Sequence, residues 1–107
     1  MATLSTHVLD TALGRPARGV RVTLTTLEGT PLGEGTTDAD GRVARIGPEL
    51  LPPGDYVLTF ATGAYHATTG QPGFYPQVSV TFTAGADDPY HVPLLLNPYG
   101  YSTYRGN

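Results

Sequence analysis

The chain has 107 residues, of which 39% are hydrophobic and 14% charged, and these values indicate one globular domain over residues 1–107 rather than a disordered chain. A net charge of −3, with only 6 Lys and Arg residues, excludes a basic surface for nucleic acid or an anionic membrane. The absence of cysteine excludes disulfides, thiolate nucleophiles and iron–sulfur clusters.

Period-two alternation of side chains predicts several short strands in the first half of the chain. Residues 4–9, Leu-Ser-Thr-His-Val-Leu, predict a strand with one buried face and a second face that carries His7. Residues 20–25 predict the clearest half-buried strand, and residues 32–37 a weaker one. The Asp-Ala-Asp-Gly turn at residues 38–41 follows, and its glycine can adopt a positive φ.

The second half contains further strands and one segment of a different kind. Residues 56–60 and 78–83 alternate as strands do, whereas residues 62–67 lose the alternation and are compatible with one or two helical turns. About eight strands, separated by turns rich in glycine, proline and aspartate, indicate an all-β fold, an antiparallel two-sheet β-sandwich.

The last predicted strand, residues 91–96, has two faces of different character. Its even-numbered residues, Val, Leu and Leu, form a core face, which places His91, Pro93 and Leu95 on the outer face. Apolar side chains beside an outward histidine indicate a surface partly removed from water, and we expect another subunit to cover it. Pro93 has no N–H to donate, so it favours an edge strand or a bulge.

Three segments resemble a known family. Residues 4–10 resemble its opening strand, and residues 37–42 (Thr-Asp-Ala-Asp-Gly-Arg) resemble its middle motif. Residues 91–96 and 99–106 resemble its C-terminal end. The family is that of the 5-hydroxyisourate hydrolases, the transthyretin-related enzymes of urate breakdown. The segments lie in the family's order and bracket nearly the whole chain. Family members typically end in Tyr-Arg-Gly-Ser, whereas this chain ends in Asn107, which keeps a hydrogen-bonding side chain but lacks the hydroxyl. We still expect activity.

The resemblance implies a transthyretin-like sandwich with its short helix after the strand at residues 56–60, no cofactor, and a homotetramer whose active sites lie at subunit interfaces. It also implies a small-molecule substrate, 5-hydroxyisourate, which is hydrolysed to 2-oxo-4-hydroxy-4-carboxy-5-ureidoimidazoline. Opening the ring at an amide-type carbon–nitrogen bond needs a base for water, a group that holds the developing oxyanion, and a proton donor for the leaving nitrogen.

The resemblance maps the family's two catalytic histidines and its arginine onto His7, His91 and Arg42. Histidine titrates near neutrality, so one of the two can activate water while the other orients substrate or protonates nitrogen, and the sequence leaves open which is the base. Arg42 offers a planar fork of donors that can bind and polarise a carbonyl. The substrate-binding residues that the resemblance implies are His7, Arg42, Tyr104, Arg105, Gly106 and Asn107.

Two other functions fit the same fold class. One is a non-catalytic carrier of a small ligand, as transthyretin is, although a hormone channel would not need two histidines, an arginine and a polar tail. The other is a sandwich-type adhesion or carbohydrate-binding module, for which we would expect a secretory signal or a multidomain parent. Neither is visible in the sequence.

We expect no metal site and a cytoplasmic location. The Asp-Ala-Asp-Gly turn at residues 38–41 resembles the opening of a calcium loop, but the downstream glutamate is missing. His7 and His91 have no obvious third ligand with which to hold zinc. No stretch approaches the roughly 20 apolar residues that span a bilayer, and no secretory signal is visible.

Overall fold

Two β-sheets and one short helix make up the part of the chain that the computed structural model describes, residues 3–86 and 88–106. The strands are β1 Leu4–Asp10, β2 Arg15–Pro16, β3 Arg21–Thr26, β4 Pro31–Thr36, β5 Arg42–Val43, β6 Gly54–Phe60, β7 Val78–Ala84, β8 Tyr90–Asn97 and β9 Gly100–Thr103. The helix, α1, spans Thr62–Thr68 and directly follows β6, where the alternation lapses.

The strands are divided between two sheets that share one core. The first sheet has the order β2-β1-β8-β9 with β5 also paired to β1, and the second has the order β4-β3-β6-β7. A cluster of buried apolar side chains draws on both sheets, with Leu94 from the first and Leu24 and Phe60 from the second each 0% exposed. The predicted all-β two-sheet sandwich with one short helix is confirmed.

One strand pair departs from the antiparallel pattern, because β1 and β8 run parallel, from Leu4 beside Tyr90 to Asp10 beside Leu96. Parallel strands need a long connection, and here most of the chain lies between the two. The predicted core faces of both strands are buried, and the hydroxyl of Thr6 donates to the carbonyl oxygen of Val92 at 2.6 Å. The outer faces of β1 and β8 therefore lie side by side.

Pro93 does not lie on an edge strand, so that part of the prediction was wrong. Its strand, β8, is between β1 and β9, and the register runs from Leu94 opposite Thr103 to an isolated bridge between His91 and Gly106. Pro93 thus falls in a gap in the pairing between β8 and the C-terminal tail, which begins at Tyr104. The hydroxyl of Thr103 donates to its carbonyl oxygen at 2.7 Å. A residue without an N–H is tolerated at this gap because no regular ladder bond is lost there.

A buried carboxylate attaches α1 to the end of β1. Asp10 is 1% exposed and accepts hydrogen bonds from the hydroxyl of Tyr65 at 2.6 Å and the side-chain amide of Gln71 at 2.9 Å. The backbone N–H of Leu13 donates to its other oxygen at 2.8 Å. Burial disfavours the ionised carboxylate, but the hydrogen bonds outweigh that penalty and hold the pKa of Asp10 below its ordinary value.

None of the helices in the described part of the chain combines the length and the apolar character needed to cross a membrane.

Candidate active site

A tight turn brings Arg42 to the side of His7. In the register of β1 with β5, His7 is opposite Arg42. The carboxylate of Asp38 accepts hydrogen bonds from the backbone N–H groups of Asp40 at 2.9 Å and Arg42 at 3.0 Å. Gly41 has a φ of 76°, and a Cβ there would lie 2.4 Å from the carbonyl oxygen of Val8, so only glycine fits. The turn therefore fixes where Arg42 leaves the backbone.

The same turn determines the protonation pattern of His7. The Nε2 atom of His7 lies 2.8 Å from the backbone carbonyl oxygen of Asp40. A carbonyl oxygen only accepts, so Nε2 must carry the hydrogen of this bond. In the neutral imidazole, the lone pair of His7 is then on Nδ1.

His91 is half-buried, as His7 is. Its ring centroid lies 6.4 Å from that of His7, and its Nδ1 is 2.8 Å from the hydroxyl oxygen of Ser5. Burial lowers the pKa of His91, and the nearby positive charges of Arg42 and His7 lower it further. His91 is therefore neutral at pH 7 and has a lone pair available to accept a proton.

A cleft of about 260 Å³ brings Arg42 and His91 together on one surface, but His7 is not among the residues that line it. Ser5, Arg42 and His91 line it, and its other lining residues are Thr3, Ala44, Pro89 and Tyr90. The cleft thus combines a cation, a neutral imidazole and a hydroxyl, which can hold an anionic oxygen and accept a proton from water.

The tail is held against the ring of His91. The backbone N–H of Gly106 donates to the carbonyl oxygen of His91 at 2.8 Å. A Cβ at Gly106 would lie 2.6 Å from the Cδ2 atom of His91, so the approach requires glycine. Asn107, which the sequence predicted as substrate-binding, lies outside the described residues.

Tyr104 and Arg105 line a different cleft, of about 350 Å³, which also touches His91 and is bounded by β7. The guanidinium carbon of Arg105 lies 4.8 Å from the ring centroid of Tyr90, and its nitrogen is 3.7 Å from the carboxylate of Asp88. Tyr104 is 57% exposed. The two residues therefore lie near His91 but do not line the cleft that contains Arg42.

Ser5 lines the cleft, although no pattern in the sequence indicated it as a site residue. In the sequence, Ser5 is one of several polar residues in a predicted strand. Its contact is with His91, which is 86 positions further along the chain. Only the parallel register of β1 with β8 places the two residues side by side. No local pattern carries that information.

Within residues 3–86 and 88–106, no group of three or more His, Cys, Asp or Glu side chains is placed to hold a metal ion.

Known proteins of one family are similar to this chain over almost all of it. A model of the HIUase/Transthyretin family matches residues 4–106. The 5-hydroxyisourate hydrolase of Salmonella dublin is 45% identical over 109 residues, which cover 97% of this chain and 80% of that protein. The structure of Klebsiella pneumoniae 5-hydroxyisourate hydrolase has a TM-score of 0.93 and 44% identity, with 100% of both chains covered. Sea bream transthyretin in complex with thyroxine has a TM-score of 0.84 and 31% identity, with 96% of this chain and 93% of that one covered.

Proposed function

The chain belongs to the HIUase/Transthyretin family, and from this membership we propose that it is a hydrolase that opens the ring of 5-hydroxyisourate. The observation that carries the proposal is the shared cleft of Arg42 and His91, with the ring of His7 at 6.4 Å from that of His91. A carrier of an apolar ligand has no use for a neutral imidazole beside a guanidinium.

His91 is the general base in this proposal. Its lowered pKa keeps the lone pair free at pH 7, and His91 lines the cleft that contains Arg42, whereas His7 does not. A water molecule gives a proton to His91 as its oxygen bonds to the ring carbonyl carbon of the substrate. The carbonyl oxygen then becomes an oxyanion, which Arg42 stabilises.

Collapse of this tetrahedral intermediate completes the reaction. The carbon–nitrogen bond breaks, the protonated His91 returns its proton to the leaving nitrogen, and the carbonyl carbon becomes a carboxyl group. The product of this opening is 2-oxo-4-hydroxy-4-carboxy-5-ureidoimidazoline. His7, which is fixed by Asp40, orients the substrate beside Arg42. Water supplies all the atoms that are added, and no cofactor takes part.

We further propose that four chains assemble and that neighbouring subunits complete each site. The cleft of about 260 Å³ is lined by Ser5 of β1, Arg42 of β5 and His91 of β8, so a second chain that packs on the outer faces of these strands would add walls to it. The outer faces of β1 and β8 carry the half-buried apolar residues Leu9 and Leu95 close to the histidines. These side chains would be covered in the assembly.

The proposed activity has a direct test. Urate oxidase generates 5-hydroxyisourate from urate in the cuvette, and the absorbance of this intermediate decays by spontaneous hydrolysis. Added protein should accelerate the decay in proportion to its concentration, and the His91→Gln variant should lose most of this effect. A decay rate unchanged by the wild-type protein, together with saturable binding of a small ligand, would instead support the non-catalytic carrier.

A further inference from the structure

The imidazole of His91 is held at two of its edges. Its Nδ1 edge faces the hydroxyl of Ser5 at 2.8 Å, and its Cδ2 edge faces the backbone of Gly106, where a Cβ would lie only 2.6 Å away. Among the described residues, none forms a hydrogen bond with Nε2. Within that part of the chain the ring thus has one polar atom without a partner, and His91 lines the cleft that contains Arg42.

Ser5 reaches this position through strand register rather than through a flexible loop. Ser5 is beside His91 in the parallel pair of β1 and β8, and both side chains are half-buried on the outer face of the sheet. Side chains at paired positions of adjacent strands lie roughly 5 Å apart at their bases, which suits a short hydroxyl and an imidazole. Two paired strands thus fix the contact.

Among residues 3–86 and 88–106, two charged or titratable groups act on the charge of His91. They are His7 from β1 and Arg42 from β5, and both disfavour its protonation. Of the described tail residues, Gly106 contacts His91 through its backbone, whereas the guanidinium of Arg105 turns to Tyr90 and Asp88. A hydrogen-bond acceptor at Nδ1 would favour the protonated ring and so oppose the effect of these two charges.

We infer that Ser5 is a positioning residue that accepts a hydrogen bond from Nδ1–H of His91 and so leaves the lone pair of Nε2 directed to the cleft. The hydroxyl hydrogen of Ser5, which also lines the cleft, is then donated to water or substrate there. When His91 takes a proton on Nε2, the bond from Nδ1–H to Ser5 becomes charge-assisted and stronger. The catalytic part of this inference rests on the proposed hydrolase function, whereas the hydrogen-bond arrangement does not.

The direction of the hydrogen bond determines the sign of a measurable shift. If Ser5 accepts from Nδ1–H, it stabilises the protonated ring more than the neutral one, and its removal lowers the pKa of His91. If Ser5 instead donates to Nδ1, it stabilises only the neutral ring, and its removal raises that pKa. The Ser5→Ala variant therefore separates the two arrangements.

The kinetic experiment compares Ser5→Ala, Ser5→Thr and the control Ser79→Ala, which removes an exposed hydroxyl from the second sheet. We expect Ser5→Ala to lower kcat about tenfold with a smaller change in KM, since one charge-assisted hydrogen bond is lost. The acid limb of its pH profile should move to lower pH. Ser5→Thr keeps the hydroxyl and should restore both properties, and Ser79→Ala should match the wild type. An equal loss in Ser5→Ala and Ser5→Thr, or an acid limb that stays or moves to higher pH, overturns the inference.

A second experiment needs no activity. In ¹⁵N-labelled wild-type protein, with the His91 signals assigned by their loss in His91→Gln, we expect Nδ1 to be protonated and Nε2 to carry the lone pair. In Ser5→Ala the titration midpoint of His91 should fall. A lone pair on Nδ1 of the wild type overturns the inference. If the expected spectra come from a protein that does not hydrolyse 5-hydroxyisourate, the arrangement holds and the proposed function fails.

Discussion

The two histidines of the site are not interchangeable, although their ring centroids are only 6.4 Å apart. His7 donates from Nε2 to a carbonyl oxygen, whereas His91 contacts a hydroxyl through Nδ1. The pKa of His91 is held below its ordinary value, first by burial and then by Arg42 and His7. Different partners therefore place two residues of the same type in different environments.

The pH dependence of hydrolysis should report the charge on His91. A base must be neutral, so activity falls as the pH drops through its pKa, which lies below the ordinary 6.5. In His7→Gln and Arg42→Gln a nearby positive charge is removed, so the acid limb of kcat/KM should move to higher pH in both variants. Arg42→Gln should also lose about 100-fold in kcat/KM, because the oxyanion loses its cation.

A suitable control for these variants is Arg21→Gln, since the guanidinium of Arg21 binds Glu34 on the second sheet, away from the cleft. Its pH profile should match that of the wild type. An acid limb that does not move in either His7→Gln or Arg42→Gln would show that His91 is not the base.

In the tail, a substitution of the single residue Gly106 should also affect the site. In Gly106→Ala the added methyl would lie 2.6 Å from Cδ2 of His91 and 3.2 Å from its carbonyl oxygen, so the tail or the ring must move. We expect kcat/KM to fall at least tenfold with a small change in stability, because the displaced groups are near the surface. Gly100→Ala is the matched control, since its Cβ would meet only Asn97, at 3.8 Å. Equal activity of the two variants would contradict the proposed role of Gly106.

At the scale of elements, β1 is the strand on which the site depends. It pairs with β2, β5 and β8, and its outer face carries Ser5 and His7. Its end is attached to α1 through Asp10 and Tyr65. A strand held by three neighbours and a helix can keep two site residues in place without loops.

The attachment of α1 should contribute to stability in a pH-dependent way. The pKa of Asp10 is lower in the folded protein than its ordinary 3.8. The ionised carboxylate therefore contributes fully to the free energy of unfolding above pH 3.8, and this contribution is lost as the pH falls through the folded pKa. In Asp10→Asn an amide N–H₂ or a neutral oxygen replaces a carboxylate that accepts three hydrogen bonds. We expect the free energy of unfolding at pH 7 to drop by about 1–3 kcal/mol.

Urea denaturation at pH 7 and at pH 3 measures this effect, and the difference between wild type and variant should narrow at the lower pH. The control is Asp55→Asn, which affects an exposed carboxylate bonded to the hydroxyl of Thr83 on β7 and should change the unfolding free energy by less than about 0.5 kcal/mol. A difference that stays constant between the two pH values would show that Asp10 is not ionised in its buried position.

At the scale of the whole molecule, the surface beside β9 carries a group of exposed aromatic side chains. Phe74, Tyr75 and Tyr101 form an aromatic patch with ring centroids 5.0 Å and 5.3 Å apart, and Phe74 and Tyr101 are 69% and 44% exposed. Tyr101 is on β9, the edge strand of the first sheet, whose backbone groups are open to another chain on one side. An exposed aromatic patch beside a sheet edge is typical of a subunit interface.

Light scattering after gel filtration tests this assembly. We expect a particle of four chains, each of 11.3 kDa, for the wild type. Tyr101→Glu places a charge in the patch and should yield smaller species with lower specific activity, because sites between subunits are then incomplete. Leu27→Glu, which affects a residue that is 55% exposed on the turn between β3 and β4, should leave the mass unchanged. A monomeric wild type would contradict both the tetramer and the shared sites.

Much of the fold could be predicted from the sequence because side-chain alternation is a local property. The pattern of residues 4–9 and 91–96 was enough to place His7 and His91 opposite the core. The lapse after residue 60 was only compatible with a helix, and the family resemblance supported it. The resemblance then selected those histidines and Arg42 as candidates for catalysis. These inferences need only the geometry of single strands and turns.

Tertiary structure decided which of these residues meet. The parallel pairing of β1 with β8, the interior position of Pro93 and the contact of Ser5 with His91 join segments from opposite ends of the chain. Which distant strands pair depends on how well the two sheets pack around their common core. The free energy of this packing is a property of the whole fold and not of any short segment. The sequence by itself determined which side chains face outward, and only the packed sheets determined their neighbours.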